Sequence, residues 1–316
     1  MKAPEFWQHD GVVARLLSPL GELYAAGARL RRHGATPWRP PLPTICVGNL
    51  TVGGTGKTPT AIALARRLTA LGRQPVLVSR GYRGRLSGPV RVDARRDQIR
   101  DVGDEPLLLA EAAPTLVAKD RVAGIREAAR LGTVVVLDDG LQDPRIAYDL
   151  ALVVVDGAVG FGNRRVLPAG PLREPVEEGL ARADAVVQIG GNGRVARKPT
   201  LSARLVPSEE SLRFRGRKVL AFAGIGRPQK AFDTLAEIGA ELVATRGFAD
   251  HHPYSEDDVA KLVEEAARLG AEPVTTSKDW VRLPDSARPL VGVVDVELAF
   301  ADEATVTHLL QGLRHA

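Results

Sequence analysis

Lys57 and Thr58 close a glycine-rich turn, Gly53-Gly54-Thr55-Gly56. Glycines let the backbone curl so that its N–H groups face phosphate oxygens. A lysine at the end of such a turn reaches the β- and γ-phosphates of a nucleotide, and the hydroxyl that follows ligates Mg²⁺. Before the turn stands an apolar run, Ile45-Cys46-Val47, and after it a helical pattern begins near Pro59. The order is strand, phosphate loop, helix, and the helix N-terminus adds a field that favours anions. In the spacing G-x-x-x-x-G-K-[ST] the first glycine falls on Thr51, while the other fixed positions match. The bland alternative is a glycine-rich turn that binds nothing; the strand–turn–helix context favours nucleotide.

Asp138 and Asp139 follow the apolar run Thr133-Val-Val-Val-Leu137 directly. An acid at the end of such a strand, downstream of a phosphate loop, holds Mg²⁺ or its waters. Of the pair, Asp139 is taken as the metal-side carboxylate. Asp104, in Val102-Gly103-Asp104-Glu105-Pro106, reads in isolation as a helix cap. Phosphoryl transfer to a hydroxyl also needs a carboxylate near the acceptor, and one residue can do both. Asp250-His251-His252 reads as a surface loop, although a histidine beside a carboxylate can tune a general base. Arg164, Arg165, Arg173 and Glu174 lie around the irregular stretch LPAGPLREP, where Arg173 suits a phosphate and Glu174 a metal shell. Arg80, Arg83 and Arg85 form a second basic loop, suited to phosphate or simply solvated. Thr276-Ser277-Lys278-Asp279 lacks the asparagine and spacing of a guanine-reading motif, which leaves a base contact or an interface role.

These groups need a scaffold, and its periodicity is α/β. Strand-like runs at 45–47, 75–79, 115–118, 133–137, 150–155 and 185–189 alternate with helical patterns at 58–71, 105–112 and 120–131. Alternation of this kind predicts a mostly parallel sheet whose ligands gather at the carboxyl ends of its strands. A basic Gly/Pro stretch at 190–199 predicts a boundary, with a smaller α/β domain over 196–316 and the P-loop domain over 37–195. Residues 1–36 predict an amphipathic helical segment that Pro19 breaks in two. Packing on the body of the protein and resting on a lipid surface suit that segment equally.

A hydrophobic share of 44% and a charged share of 26% fit a soluble globular chain. A net charge of +5 leaves nucleic acid, an anionic membrane or a phosphorylated substrate as partners. The single cysteine, Cys46, excludes an internal disulfide and a cysteine metal site. No signal peptide is legible at the N-terminus, and no apolar run is long enough to span a bilayer.

Taken together, GNLTVGGTGKTP, SRGYRG, VGDEP, LVAKDR, LDDGLQD, LPAGPLREP, FADHHPY and TSKDWVRL, in this order, resemble the tetraacyldisaccharide 4′-kinase (lipid A 4′-kinase) family. The N-terminal FW…LL…PLG.LY segment belongs to the resemblance, and so does Thr51 in place of glycine. The resemblance implies a P-loop kinase that uses ATP and Mg²⁺. Its acceptor would be the 4′-hydroxyl of an acylated glucosamine disaccharide 1-phosphate, a step of lipopolysaccharide synthesis at the cytoplasmic face of the inner membrane. It implies an anionic membrane surface as partner and no nucleic acid.

Residue by residue, the resemblance makes Lys57 and Thr58 the phosphate and Mg²⁺ contacts and Asp139 and Glu174 metal-side carboxylates. Asp104 becomes the catalytic base, with His251 as its partner. Arg121, Arg173 and Gln142, with Asp138, fall near phosphates or acceptor. Asp143 departs from the family, which commonly has histidine there, and sets a negative charge at that point. A P-loop ATPase switch acting on a protein partner is the reading from a different class. LPAGPLREP, His251 and the amphipathic N-terminus favour a kinase, because a switch needs no acceptor site.

Overall fold

The computed structural model describes residues 4–191 and 193–313. The ends of the predicted outer segments, 1–3 and 314–316, and residue 192 in the predicted boundary lie outside the described residues.

Apolar runs become strands where two buried faces need covering. In the larger unit these are β1 (Thr44–Gly48), β2 (Pro75–Ser79), β3 (Val90–Arg91), β4 (Thr115–Val117), β5 (Val134–Asp138), β6 (Leu150–Asp156), β7 (Ala185–Ile189) and β8 (Thr200–Pro207). The helices of this unit are α1 (Val12–His33), α2 (Lys57–Ala70), α3 (Ile99–Val102), α4 (Asp104–Ala110), α5 (Arg121–Ala128) and α6 (Val176–Ala181). The smaller unit holds β9 (Lys218–Ala223), β10 (Glu241–Gly247), β11 (Glu272–Thr276) and β12 (Gly292–Val294), with α7 (Gln229–Ile238), α8 (Glu256–Arg268) and α9 (Ser277–Trp280). The chain then returns through β13 (Val296–Phe300) and α10 (Glu303–Gln311).

The large sheet runs β13-β8-β7-β6-β1-β5-β2-β4-β3. Its centre is parallel, and every residue of β1, β2, β5, β6 and β7 is buried. Continuous Val/Ile/Leu runs are what a sheet covered on both faces requires. The edge strand β3 runs antiparallel to β4. In the parallel register Val47 of β1 stands opposite Asp138 of β5, so the glycine loop and the Asp138-Asp139 pair leave the sheet at one level. Cys46 is fully buried in β1, and burial pushes its thiol up to about 12, which makes it a packing residue. The smaller sheet, order β10-β9-β11-β12, is parallel throughout.

Two sequence expectations change. The division falls at 204/205, and residues 298–313 rejoin the larger unit, so the smaller unit is 205–297, where the sequence predicts 196–316. The reason is β8, which pairs in parallel with β7 and extends the large sheet, with β13 as its other neighbour. Pro19 does not break the N-terminal helix: α1 is continuous over Val12–His33. The helix lies down on small residues, Ala14, Gly21 and Ala25, and a methyl on Gly21 would sit 2.8 Å from the Val166 carbonyl. Ser18 donates to the Ala14 carbonyl beside the proline. This close packing and hydrogen bonding outweigh one missing backbone donor.

On the opposite side of α1, Val12, Val13, Leu16, Leu20, Leu23, Tyr24 and Leu30 are exposed, Leu16 and Leu30 by 74% and 76%. At 100° per residue they fall within an arc of about 120°. The C-terminal end of α1 is tied to α6 and the loop that leads into it: Arg29 pairs with Glu178 at 2.7 Å and Arg32 with Glu174 at 3.0 Å.

Candidate active site

The loop between β1 and α2 is held open by its own backbone. Gly53 and Gly56 have φ of 114° and 94°, a region that glycine enters without strain. Gly56 also has no room for a side chain, since a methyl there would lie 2.4 Å from Ile189 Cδ1. Above Gly53 and Gly54 nothing lies within 4 Å, so the turn faces open space. Asn49, fully buried and missed in the sequence, braces the turn by donating to the Thr51 carbonyl at 2.8 Å. Its position just after β1 is the signal that could have found it. The hydroxyl of Thr55 is buried without a hydrogen-bond partner among the described residues.

Thr58 Oγ1 donates to Asp138 Oδ2 at 3.1 Å. Asp138 is 1% exposed, and its other oxygen, Oδ1, is buried with no partner among the described residues. An unpaired buried carboxylate oxygen is costly, and it marks a place where a ligand completes the site. Burial, then the charge of Glu105, pushes the Asp138 carboxyl up to about 7, while Lys57 pulls it down. Glu105, also missed in the sequence, places the first turn of α4 beside Asp138; it stands next to Asp104 in VGDEP.

Asp139 does something else. It adopts φ of 61°, and its carboxylate receives Arg173 at 3.0 and 3.1 Å, with Lys57 at 3.8 Å. Burial works to raise this carboxyl, but Lys57, Arg173 and Arg121 together hold it below the ordinary range. Of the two acids, Asp138 meets Thr58, while Asp139, expected on the metal side, meets Arg173 and Lys57. Thr58 Oγ1 and Asp138 Oδ1 fit Mg²⁺, which needs only one or two protein oxygens beside phosphates and water.

Glu174, expected as a metal-side carboxylate, is ringed by donors. It is 1% exposed and accepts from Arg182 at 2.7 and 2.8 Å, from Arg32 at 3.0 Å and from Gln142 at 3.2 Å. Both oxygens are committed to these donors, so Glu174 fixes α1 and α6 to the loop. Gln142 spans the two clusters: its amide donates to the Asn49 carbonyl at 2.8 Å, and its oxygen accepts from Arg173 at 3.2 Å. LPAGPLREP is tied to the segment before the glycine turn by Val52 N–H to the Pro171 carbonyl and Arg173 N–H to the Leu50 carbonyl, 2.8 and 2.7 Å.

Arg121 opens α5 and donates to the Asp139 carbonyl, while its Nε is buried without a partner among the described residues. Asp143 stands 3.9 Å from Arg121 and is held by Arg145 at 2.8 and 2.9 Å. Burial opposes the Asp143 charge, and hydrogen bonds from Arg145 outweigh it and lower the carboxyl. The negative charge at this departure from the family is thus neutralised within the chain.

Asp104 is 3% exposed as the first residue of α4, where its carboxylate accepts from Glu105 N–H at 3.0 Å and Gly103 takes the cap position. Gly103 before it has φ of 91°, and a methyl there would lie 2.6 Å from the Tyr82 carbonyl. The RGYRG loop therefore presses against the start of α4, and α4 packs on α2.

In the smaller unit His251 follows β10 at φ of 60°, its N–H donating to the Gly224 carbonyl at 2.9 Å. Arg282 donates to His251 Nδ1 at 3.0 Å and pairs with Asp279 at 3.1 Å. Thr276 and Asp279 cap α9 together, Thr276 donating to Asp279 at 2.7 Å.

A glycine turn closed by Lys57 and Thr58, with a buried acid on the hydroxyl, at the carboxyl ends of a parallel sheet, defines a P-loop nucleotide-dependent kinase fold. The chain belongs to the tetraacyldisaccharide-1-P 4′-kinase family, whose model matches residues 13–314. A tetraacyldisaccharide 4′-kinase of Rhodospirillum rubrum is 51% identical over 99% of both chains. That of Paramagnetospirillum magneticum is 50% identical over 98% of each. A solved structure of LpxK from Aquifex aeolicus, in complex with ATP, superposes with a TM-score of 0.79 at 26% identity, covering 96% of this chain and 99% of that one.

Because the folded Asp138 carboxyl sits near 7, above its ordinary 3.8, the proton is held more tightly in the folded chain. The stability this gives is full below about 3.8 and is lost as pH rises to about 7. In buffer free of metal and nucleotide, denaturant melts should show wild type losing stability relative to Asp138→Asn across that window, by roughly 1 kcal/mol per pH unit. A gap that does not change with pH contradicts the burial of an ionisable, unpaired oxygen.

Proposed function

We propose that this chain transfers the γ-phosphate of ATP to the 4′-hydroxyl of an acylated glucosamine disaccharide 1-phosphate. The observation that carries the donor half is the Thr58–Asp138 contact beneath the glycine turn. Backbone N–H groups of 53–58 and the Lys57 ammonium hold the β- and γ-phosphates. Mg²⁺, held by Thr58 and Asp138, supplies neutralisation of charge on the phosphate oxygens. Asp139 keeps Lys57 and Arg173 aimed, and Arg121 and Gln142 line the same loops.

In the transfer, the acceptor oxygen bonds to the γ-phosphorus as the bond to the β-phosphate oxygen breaks and ADP leaves. Asp104 takes the hydroxyl proton. Burial of Asp104 in a short helix turn keeps water from competing for it. We assign His251 the role of partner to that base, as the FADHHPY motif implies.

The same reading puts the chain on an anionic membrane, at the cytoplasmic face of the bacterial inner membrane. No described helix is long and apolar enough to cross a bilayer. The exposed face of α1 supports a helix lying in the interface, with Leu side chains toward the acyl region and basic residues near headgroups, each worth roughly 1 kcal/mol.

With Mg-ATP and the monophosphorylated acyl-disaccharide, labelled phosphate should appear on lipid. Free phosphate alone would support a switch ATPase and reject the kinase. Asp104→Ala should lower kcat by about 10²–10⁴ with little change in ATP binding, and near-wild-type turnover removes it from the mechanism.

The membrane assignment has a separate test. Deleting α1 would strip Glu174 of Arg32, so point changes are cleaner. Leu16→Ser with Leu23→Ser should reduce sedimentation with anionic vesicles at least several-fold while leaving the melting temperature unchanged, because both are at least 70% exposed. Undiminished vesicle binding contradicts the assignment.

A further inference from the structure

The TSKDWVRL stretch is not used by the donor site, yet it holds the most enclosed ion pair of the smaller unit's described residues that touches His251. Asp279 is fully buried, and the Arg282 side chain is 5% exposed. Asp279 accepts from Gly224 N–H at 3.0 Å, Tyr254 O–H at 3.2 Å and Thr276 O–H at 2.7 Å, beside Arg282 at 3.1 Å. These donors fix the carboxylate, and the carboxylate fixes the guanidinium. Arg282 then divides its fork: Nη1 donates to the Gly224 carbonyl at 2.9 Å and Nη2 to His251 Nδ1 at 3.0 Å. The backbone of His251 is held to the same Gly224 carbonyl at 2.9 Å. Ring and guanidinium are thereby registered on one atom.

A guanidinium is a donor only and stays charged at any physiological pH. Its bond to Nδ1 requires a lone pair there. Neutral His251 must therefore carry its proton on Nε2, the nitrogen that lies 3.9 Å from Asp250. Nothing in such an arrangement needs Arg282 to touch a substrate. We propose that Asp279 and Arg282 are positioning residues for the phosphoryl transfer, locking His251 as the Nε2–H tautomer with a fixed ring plane. The inference rests on the role assigned to His251 above, and it gives the Thr276–Leu283 stretch a use other than reading a base.

Removing Arg282 alone leaves Asp279 buried and unpaired, which endangers the fold. The test therefore uses Arg282→Met combined with Asp279→Asn in the full-length chain, with the melting temperature recorded. Imidazole nitrogen-15 spectra, with His251→Gln to assign the ring among the six histidines, read the tautomer. Wild type should show His251 as Nε2–H only, and the double variant a ring averaging between tautomers. Its kcat on Mg-ATP and lipid acceptor should fall at least about tenfold with KM for ATP unchanged. Placed on a His251→Ala background, the same pair of changes should cost nothing further, because residues acting as a unit are non-additive.

An Nδ1–H ring in wild type overturns the inference. So does an equal loss of turnover with and without His251, which would mark the pair as structural. A folded double variant with wild-type turnover, while His251→Ala is impaired, overturns the inference alone. Wild-type turnover in His251→Ala overturns the role given to His251 and the inference with it.

Discussion

The hydroxyl of Thr58 and the carboxylate of Asp138 meet at 3.1 Å, and the larger unit is organised to bring them there. They lie 80 residues apart in the chain, on different elements. What joins them is the parallel register of β1 and β5, which sets Val47 level with Asp138. A slip of one residue would turn Asp138 to the opposite face of the sheet. The register is itself specified by burial on both faces, where Val134 to Leu137 pack against covering helices with almost no exposed area. Gly48 completes the approach: a methyl there would lie 2.5 Å from Leu141 Cβ, so only glycine lets the segment after β5 close over the end of β1.

Charge is sorted around that contact. Asp139 gathers Lys57 and Arg173, and Glu174 gathers Arg32 and Arg182. Asp143 is balanced by Arg145 and Arg121. Asp138, by contrast, keeps one buried oxygen without a partner among the described residues, and burial raises its carboxyl. Compensated acids build the frame, and the uncompensated one is left for the ligand. The arginine cluster on Glu174 also makes α1 part of the same frame, since Arg32 at its end shares that carboxylate.

The local features were legible because they are local. Glycines that need positive φ, a lysine at a helix start and β-branched runs announce the loop, and the central strands fall where their apolar runs predict. The division of labour between Asp138 and Asp139 was not legible, since it depends on which way each side chain leaves the end of β5. The arginine partners of Glu174, Arg32 and Arg182, are not legible in sequence because they are remote or unremarkable there. Glu105 and Asn49 were missed for a related reason: one adjoins a more conspicuous acid, and the other acts through its amide on a backbone carbonyl. The pairing of β8 with β7 is not legible in sequence because sheet partnership is non-local. Pro19 was overweighted, as close packing on Ala14, Gly21 and Ala25 outweighs a single lost donor.

The most direct test of this account is a double-mutant cycle on Thr58→Val and Asp138→Asn, read as kcat/KM for ATP-dependent phosphorylation of the acyl-disaccharide. If hydroxyl and carboxylate act as one unit, the double variant loses about as much as the worse single variant, a coupling of roughly 1–3 kcal/mol. Losses that simply multiply would mean that the two residues act independently, and would contradict the central contact.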